Sequence, residues 1–230
     1  CYDEGMMIPF FVHAPNRVKG GKVRKDPVLH FDLAATSLFF AGIEIPKHME
    51  ARTLFGPNFL KREFAVSARD RCDETYDRIR AVRSPEYKYI RNGYPARPHL
   101  QPCAYKDNKE IYQAIRDWGE KGKLNDLQQK LLLSPDRAKE ELYDLKNDPW
   151  ELNNLADNPE HSKTLQKMRK ALNQWIRETG DLGQNVESMK MYDSDMKVYL
   201  DGLANRGRGD RLEEIKSNIA QMKKWWREGK

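Results

Sequence analysis

The chain has 230 residues, 39% of them hydrophobic and 10% aromatic, which is enough apolar material for a sizeable core and too much for a disordered polymer. The net charge is +6, but 41 basic residues are interleaved with 35 acidic ones, which argues against a nucleic-acid-binding stripe and leaves smaller anions open. No apolar run reaches the roughly 20 residues of a bilayer span, and the three cysteines show no C-x-x-C spacing, so no metal knuckle or redox motif is indicated and the pairing of any disulfide stays open.

In chain order, Met6 to Pro15 (MMIPFFVHAP) reads as a buried strand leaving its sheet at Pro15, followed by a basic loop from Asn16 to Pro27. His30 to Ile43 is apolar nearly all round and closes on Gly42, which predicts a largely buried helix from about Asp32. Both pieces fit the end of an α/β domain. Arg62 to Asp70 reads as a strand, and Asp77 to Asn92 divides at Ser84-Pro85 into two alternating runs, a hairpin. A Pro-rich loop, Asn92 to Pro102, precedes helical patterns around Lys109 to Trp118 and Leu124 to Leu133.

Leu142 to Leu145 reads as a further strand of a small antiparallel sheet. Asp148-Pro149-Trp150-Glu151 then sets an N-cap acceptor, a proline and a reciprocal glutamate in register, a capping box that fixes a chain reversal. From Pro159 to Thr179 a helix puts Leu165, Met168, Leu172, Trp175 and Ile176 on one face, with Asn158 as cap and Gly180 as stop. Gly180 to Asp210 is polar and Gly-punctuated. The chain ends in an amphipathic helix with a capping box at Asp210/Glu213 and an apolar line Leu212, Ile215, Ile219, Met222 and Trp226, which docks on the same chain or, as the livelier alternative, forms a subunit contact.

Taken together, CYDEG…IP, HFDLAATSLFFAGIEIP, YDRIRAVRSPEYKYIRN, ELYDLKNDPWELNNLAD and the Trp175 helix resemble the C-terminal half of the sulfatase family, in the alkaline-phosphatase-like superfamily. The family pattern falls on Tyr2, Asp3, Gly5 and Pro9; on Asp32, Leu33, Thr36, Ala41 and Gly42; on Arg80, Arg83, Lys88, Tyr89 and Ile90; and on Glu141 through Ala156, with Ala35 where the family usually has proline. The resemblance covers about residues 1–180. ARDRCDETYDRIRAVR and RNGYPARPHLQP look most like bacterial sulfatases near the heparan N-sulfatase branch. The implied fold is α/β: the end of an alkaline-phosphatase-like domain over 1–62, a small α+β subdomain over 63–180 whose antiparallel sheet packs with its closing helix, and a helical tail over 181–230.

The resemblance implies hydrolysis of sulfate esters or N-sulfates of a sulfated carbohydrate, with calcium and a formylglycine made from a C/S-x-P-x-R motif. Cys1, Cys72 and Cys103 open no such motif. Nucleophile, metal ligands and the family's catalytic lysine are therefore expected upstream of Cys1, in a missing N-terminal half that is this chain's first partner, and the isolated chain is expected to be inactive. The substrate rim is expected at Arg69, Asp70, Arg71, Asp73 and Glu74, with His99: arginine suits bidentate recognition of sulfate, and acids suit sugar hydroxyls. Gly5 is read as a strand-start glycine or as a close approach to the lost segment. The alternatives are a non-catalytic module for anionic glycans and half of a phosphodiester or phosphonate hydrolase. A periplasmic or secreted location, and an oligomer through the 210–228 helix, complete the expectations.

Overall fold

The computed structural model describes residues 1–207 and 209–230, without the side chain of Asp210. Four strands, β1 Ala65–Cys72, β2 Thr75–Arg83, β3 Tyr87–Asn92 and β4 Glu140–Asp144, form one antiparallel sheet in the order β1-β2-β3-β4. The Ser84-Pro85 break forms the predicted hairpin. Ser84 Oγ accepts from the N–H groups of Glu86 and Tyr87, and Pro85 stands where no ladder donor is needed. Strand β4 runs back along β3, tied at one end by Asn92 N–H to Lys139 O and at the other by Leu145 N–H to Glu86 O. The helices are α1 Asp3–Met6, α2 Asp32–Ala41, α3 Ala104–Asp107, α4 Glu110–Glu120, α5 Asp126–Gln128, α6 Ser162–Thr179, α7 Met189–Asn205 and α8 Leu212–Arg227. The chain divides into two units, one of residues 1–68, 80–90 and 140–180, the other of 69–79, 91–139 and 181–230.

In the first unit, α6 covers the sheet. Leu165, Met168 and Leu172 recur at helical spacing and are buried against Val82, Tyr89 and Leu142. Each such side chain removed from water contributes roughly 1.5–3 kcal/mol. Gly180 closes the helix in the left-handed conformation, its N–H reaching Ile176 O.

Three expectations are corrected in this unit. Residues 6–15 form no strand: Gly5 and Met6 belong to the short α1, and the apolar run beyond is exposed, Phe11 by 88%, because no strand among the described residues pairs with it. Helix α2 ends on left-handed Gly42 as predicted, yet only Asp32, Ala35 and Thr36 are buried and Leu33 is 48% exposed. The Asp148 capping box does not form, since no helix follows it. Asp148 carboxylate oxygens accept from Leu152 and Asn153 N–H in a turn, while Glu151, at φ 56°, swings inward.

In the second unit, α7 and α8 bury Tyr192, Met196, Leu203, Ile215, Ile219 and Met222 around Ala104. The predicted line of α8 thus packs inside its own unit, although Trp226 stays 41% exposed while Trp225 packs on the cluster. The proposed capping box at Asp210 lies outside the described residues. In sequence, helix α7 reads only as part of a helical tail over 181–230, without bounds of its own, because that stretch is polar and glycine-punctuated.

The Pro-rich loop is pinned by Arg97. Its guanidinium is wholly buried, stacked on Tyr94 at 4.1 Å and Tyr76 at 4.5 Å, and donates to Tyr76 O, Tyr76 Oη and Lys230 O. Gly93 permits this path, because a Cβ there would stand 2.8 Å from Arg78 O and 2.2 Å from Arg78 Nε.

Candidate functional site

The motifs that look chemical in sequence converge, in the first unit, on a closed polar brace. Lys88 has no exposed surface, and its ammonium ion-pairs with Asp3 at 2.5 Å and with Glu151 at 2.9 Å. Arg83 adds a fork to Asp3, Nε and Nη2 donating at 3.0 and 2.9 Å. Glu151 also accepts from Asp3 N–H, which seats the start of α1. Beside this, Glu141 accepts from the phenols of Tyr2 at 2.7 Å and Tyr143 at 2.6 Å. Asp32 accepts from Arg62 at 2.6 Å and from the N–H groups of Leu29 and Arg52.

The electrostatics follow from enclosure. Burial pushes the Tyr2 and Tyr143 phenols well above their ordinary range, with the Glu141 carboxylate adding to the effect. Burial also acts to raise Asp3, but hydrogen bonds from Arg83 and Lys88 outweigh it and hold the carboxyl below its usual value. In Glu151 burial wins over Lys88, and the carboxyl is raised. The charges of this brace are paired inside the fold, and the pairs position chain segments against one another.

The predicted rim residues all fall in the second unit, but in three different settings. Glu74 is wholly buried: Oε1 accepts from Ala104 N–H at 2.7 Å and from Asn218 Nδ2 at 2.8 Å, and its carbonyl accepts from Tyr192 Oη. It has no surface to present to a sugar. Arg71 and Asp73 line an open depression with Asp195, Met196, Val198 and Tyr199. Arg71 is already engaged by Asp195 at 3.0 Å and Glu187 at 3.3 Å, over the Tyr192 ring. Asp70 is exposed on β1, and Asp73 is exposed at the β1–β2 turn in the left-handed backbone that aspartate tolerates.

Arg69 and His99 make the third setting. Arg69 is half-buried, and its Nη2 is sealed from solvent without a hydrogen-bond partner among the described residues. Burial and then the Arg69 charge depress Lys106, so two cations share a partly desolvated neighbourhood. His99 feels Arg69 as well; burial first, then Arg137, push it down to about 4, so its ring is neutral at pH 7. Such a cationic corner suits an anion. Lys106 was not anticipated, since nothing in CAYKD distinguishes it from a solvated lysine.

The comparisons with known proteins agree with the motifs. The model of the N-sulphoglucosamine sulphohydrolase C-terminal family matches residues 1–131, more than half of the 230-residue chain. The chain belongs to this sulfatase family. It is 34% identical over 188 residues to an ulvan-active sulfatase of Formosa agariphila, covering 81% of this chain and 31% of that protein. An N-acetylglucosamine-6-O-sulfatase of Bacteroides thetaiotaomicron is 22% identical over 197 residues, 86% of this chain and 30% of that protein. A solved 2-O GAG sulfatase aligns with 23% identity and a TM-score of 0.44, covering 68% of this chain and 26% of that one. The chain thus spans about a third of the length of the curated sulfatases it matches.

Sulfatases in general use calcium, which takes hard oxygen donors. Among the described residues, the side chains whose ligand atoms converge are Cys72, Asp73 and Cys103, within 4.8 Å of one another. Two thiols and one carboxylate do not fit calcium, and none of the described residues is assigned to hold it.

Proposed function

We propose that these residues are the C-terminal portion of a sulfatase that removes sulfate esters or N-sulfates from a sulfated glycan, contributing the small subdomain and part of the substrate-facing wall. The family match over residues 1–131 carries this reading, and the ulvan-active relatives make a polysaccharide of that kind the first substrate to try. In the wall, Arg69 with Lys106 receives an anionic group of the glycan, and exposed Asp70 and Asp73 face its hydroxyls. Calcium and formylglycine belong, in this reading, to the part of the protein outside these residues, as does the nucleophilic chemistry. Export to the periplasm or beyond goes with a polysaccharide substrate.

The test is release of inorganic sulfate from ulvan and from N-sulfated glucosamine by the whole protein, with this chain alone assayed beside it. Release by the whole protein and none by the chain is the expected result. Turnover of an aryl sulfate by these 230 residues alone would overturn the division of labour. A whole protein that spares sulfates and cleaves phosphodiesters or phosphonates would replace the substrate class. A second reading, a non-catalytic module for anionic glycans, draws on the same Arg69 and Lys106 corner. It predicts salt-sensitive retention on heparin without any sulfate release.

A further inference from the structure

We propose that Cys72 and Cys103 close a disulfide that locks the β1–β2 turn to the loop carrying His99. Their Sγ atoms lie 3.9 Å apart, and the Cys103 thiol also faces the carbonyl of Cys72. The approach is fixed on both sides. Cys72 ends β1, and Cys103 precedes α3, where its N–H donates to Asp107 Oδ2 at 2.8 Å. Around the sulfurs the same two segments are joined again: Thr75 Oγ1 donates to Pro102 O, and Glu74 accepts from Ala104 N–H. Forming the bond closes the gap between the sulfurs from 3.9 Å to about 2.05 Å.

Asp73 stands close enough to complete a three-donor group, which makes a soft divalent metal the competing occupant. A structural zinc takes four ligands, usually with thiolate or imidazole donors; here the third donor is an exposed carboxylate and the second thiol is wholly buried. The covalent link needs only the two sulfurs.

Cys72 is half-buried and meets the oxidant, a small disulfide such as oxidised glutathione. Its thiolate attacks one oxidant sulfur, forming a mixed disulfide and releasing one thiol. Cys103 Sγ then gives up its proton and attacks Cys72 Sγ, and the second thiol leaves. Two protein thiols lose two electrons and two protons, and one oxidant disulfide becomes two thiols. Burial pushes the Cys103 thiol up to about 11, and Lys106 offsets that rise only in part, so the half-buried Cys72 makes the first attack and Cys103 resolves the mixed disulfide.

The experiment treats the whole protein with oxidised glutathione, maps its peptides without reduction, and follows Tm with and without reductant. A single Cys72–Cys103 linked peptide is expected, with a Tm several degrees higher than in the reduced protein. Cys72→Ser and Cys103→Ser each remove the linked peptide and the redox dependence of Tm. Should the buried Cys103→Ser variant fail to fold, Cys72→Ser and reduction of the wild type carry the comparison. Full alkylation of both thiols after oxidation overturns the proposal, as does a link from Cys72 to Cys1 or to glutathione alone. Stoichiometric zinc that protects both thiols from oxidation overturns it too.

Discussion

Lys88 Nζ lies 2.5 Å from Asp3 Oδ1 with no solvent around it, so the third sequence motif is clamped to the first through a buried ion pair. The same ammonium holds Glu151 of the fourth motif. Replacing Lys88 by methionine leaves the buried Glu151 carboxylate without its cation, beside a partly buried Asp3 that keeps Arg83. Removing one partner of a buried pair costs about 3–5 kcal/mol. Chemical denaturation of Lys88→Met is expected to show a loss of that size. Arg169→Ala, at a half-exposed pair with Glu140, is expected to lose no more than about 1 kcal/mol. Equal losses in the two variants would show that the Lys88 brace is dispensable.

The neutral imidazole of His99 gives a pH signature. Unfolded, the ring takes its proton near pH 6.5; folded, burial and Arg137 delay that to about 4. Between those values the unfolded chain binds more protons, so stability rises with pH, is complete above about pH 6.5, and is lost as pH falls toward the folded value. The expected loss between about pH 7 and about pH 5 is roughly 2 kcal/mol. Thermal melts across that window should show the decline in the wild type and a flatter profile in His99→Gln. A slope unchanged by the substitution would assign the effect to another group.

Local patterns survived the passage from sequence to structure where a residue's own chemistry decided the outcome. Gly42 and Gly180 adopt the left-handed backbone that ends their helices, and Ser84-Pro85 turns the hairpin. Leu165, Met168 and Leu172 face the sheet. What failed depended on partners distant in the chain. Glu151 was read as the reciprocal member of a capping box, but the buried Lys88 attracts its carboxylate more strongly than a solvent-exposed N–H does. Glu74 sat in a charged cluster and looked like a rim acid, yet Ala104 N–H and Asn218 turn it into an internal anchor. Arg69 and Arg71 are indistinguishable in ARDRCDE, and only the carboxylates of Glu187 and Asp195 separate them.

Arg97 combines a cation, three aromatic neighbours and three hydrogen bonds in a place without solvent. Arg97→Lys preserves the charge but loses the planar fork and its stacking, and leaves an ammonium buried between Tyr76 and Tyr94. The expected cost is about 3 kcal/mol or more. Hydrogen exchange should show it as faster opening of the loop from Gly93 to Cys103. Protection in that loop equal to the wild type would mean that the tyrosines order it without the arginine.

Arg69 and Arg71 offer a discriminating pair for the proposed glycan wall. Arg71 spends its guanidinium on Asp195 and Glu187, whereas Arg69, also half-buried, stands beside a second cation, Lys106. Loss of a hydrogen bond to a charged group costs about 1.5–3 kcal/mol, so Arg69→Ala is expected to raise KM for a sulfated polysaccharide by roughly 10-fold to 100-fold. A small aryl sulfate, too short to reach the wall, should keep its kcat and KM. Thermal stability should hold or rise in Arg69→Ala, because Lys106 loses a like-charged neighbour. Arg71→Ala should instead lower Tm slightly and change KM little. The reverse ranking, with Arg71 controlling KM and Arg69 controlling Tm, would move the substrate-facing charge to the depression beside Asp73.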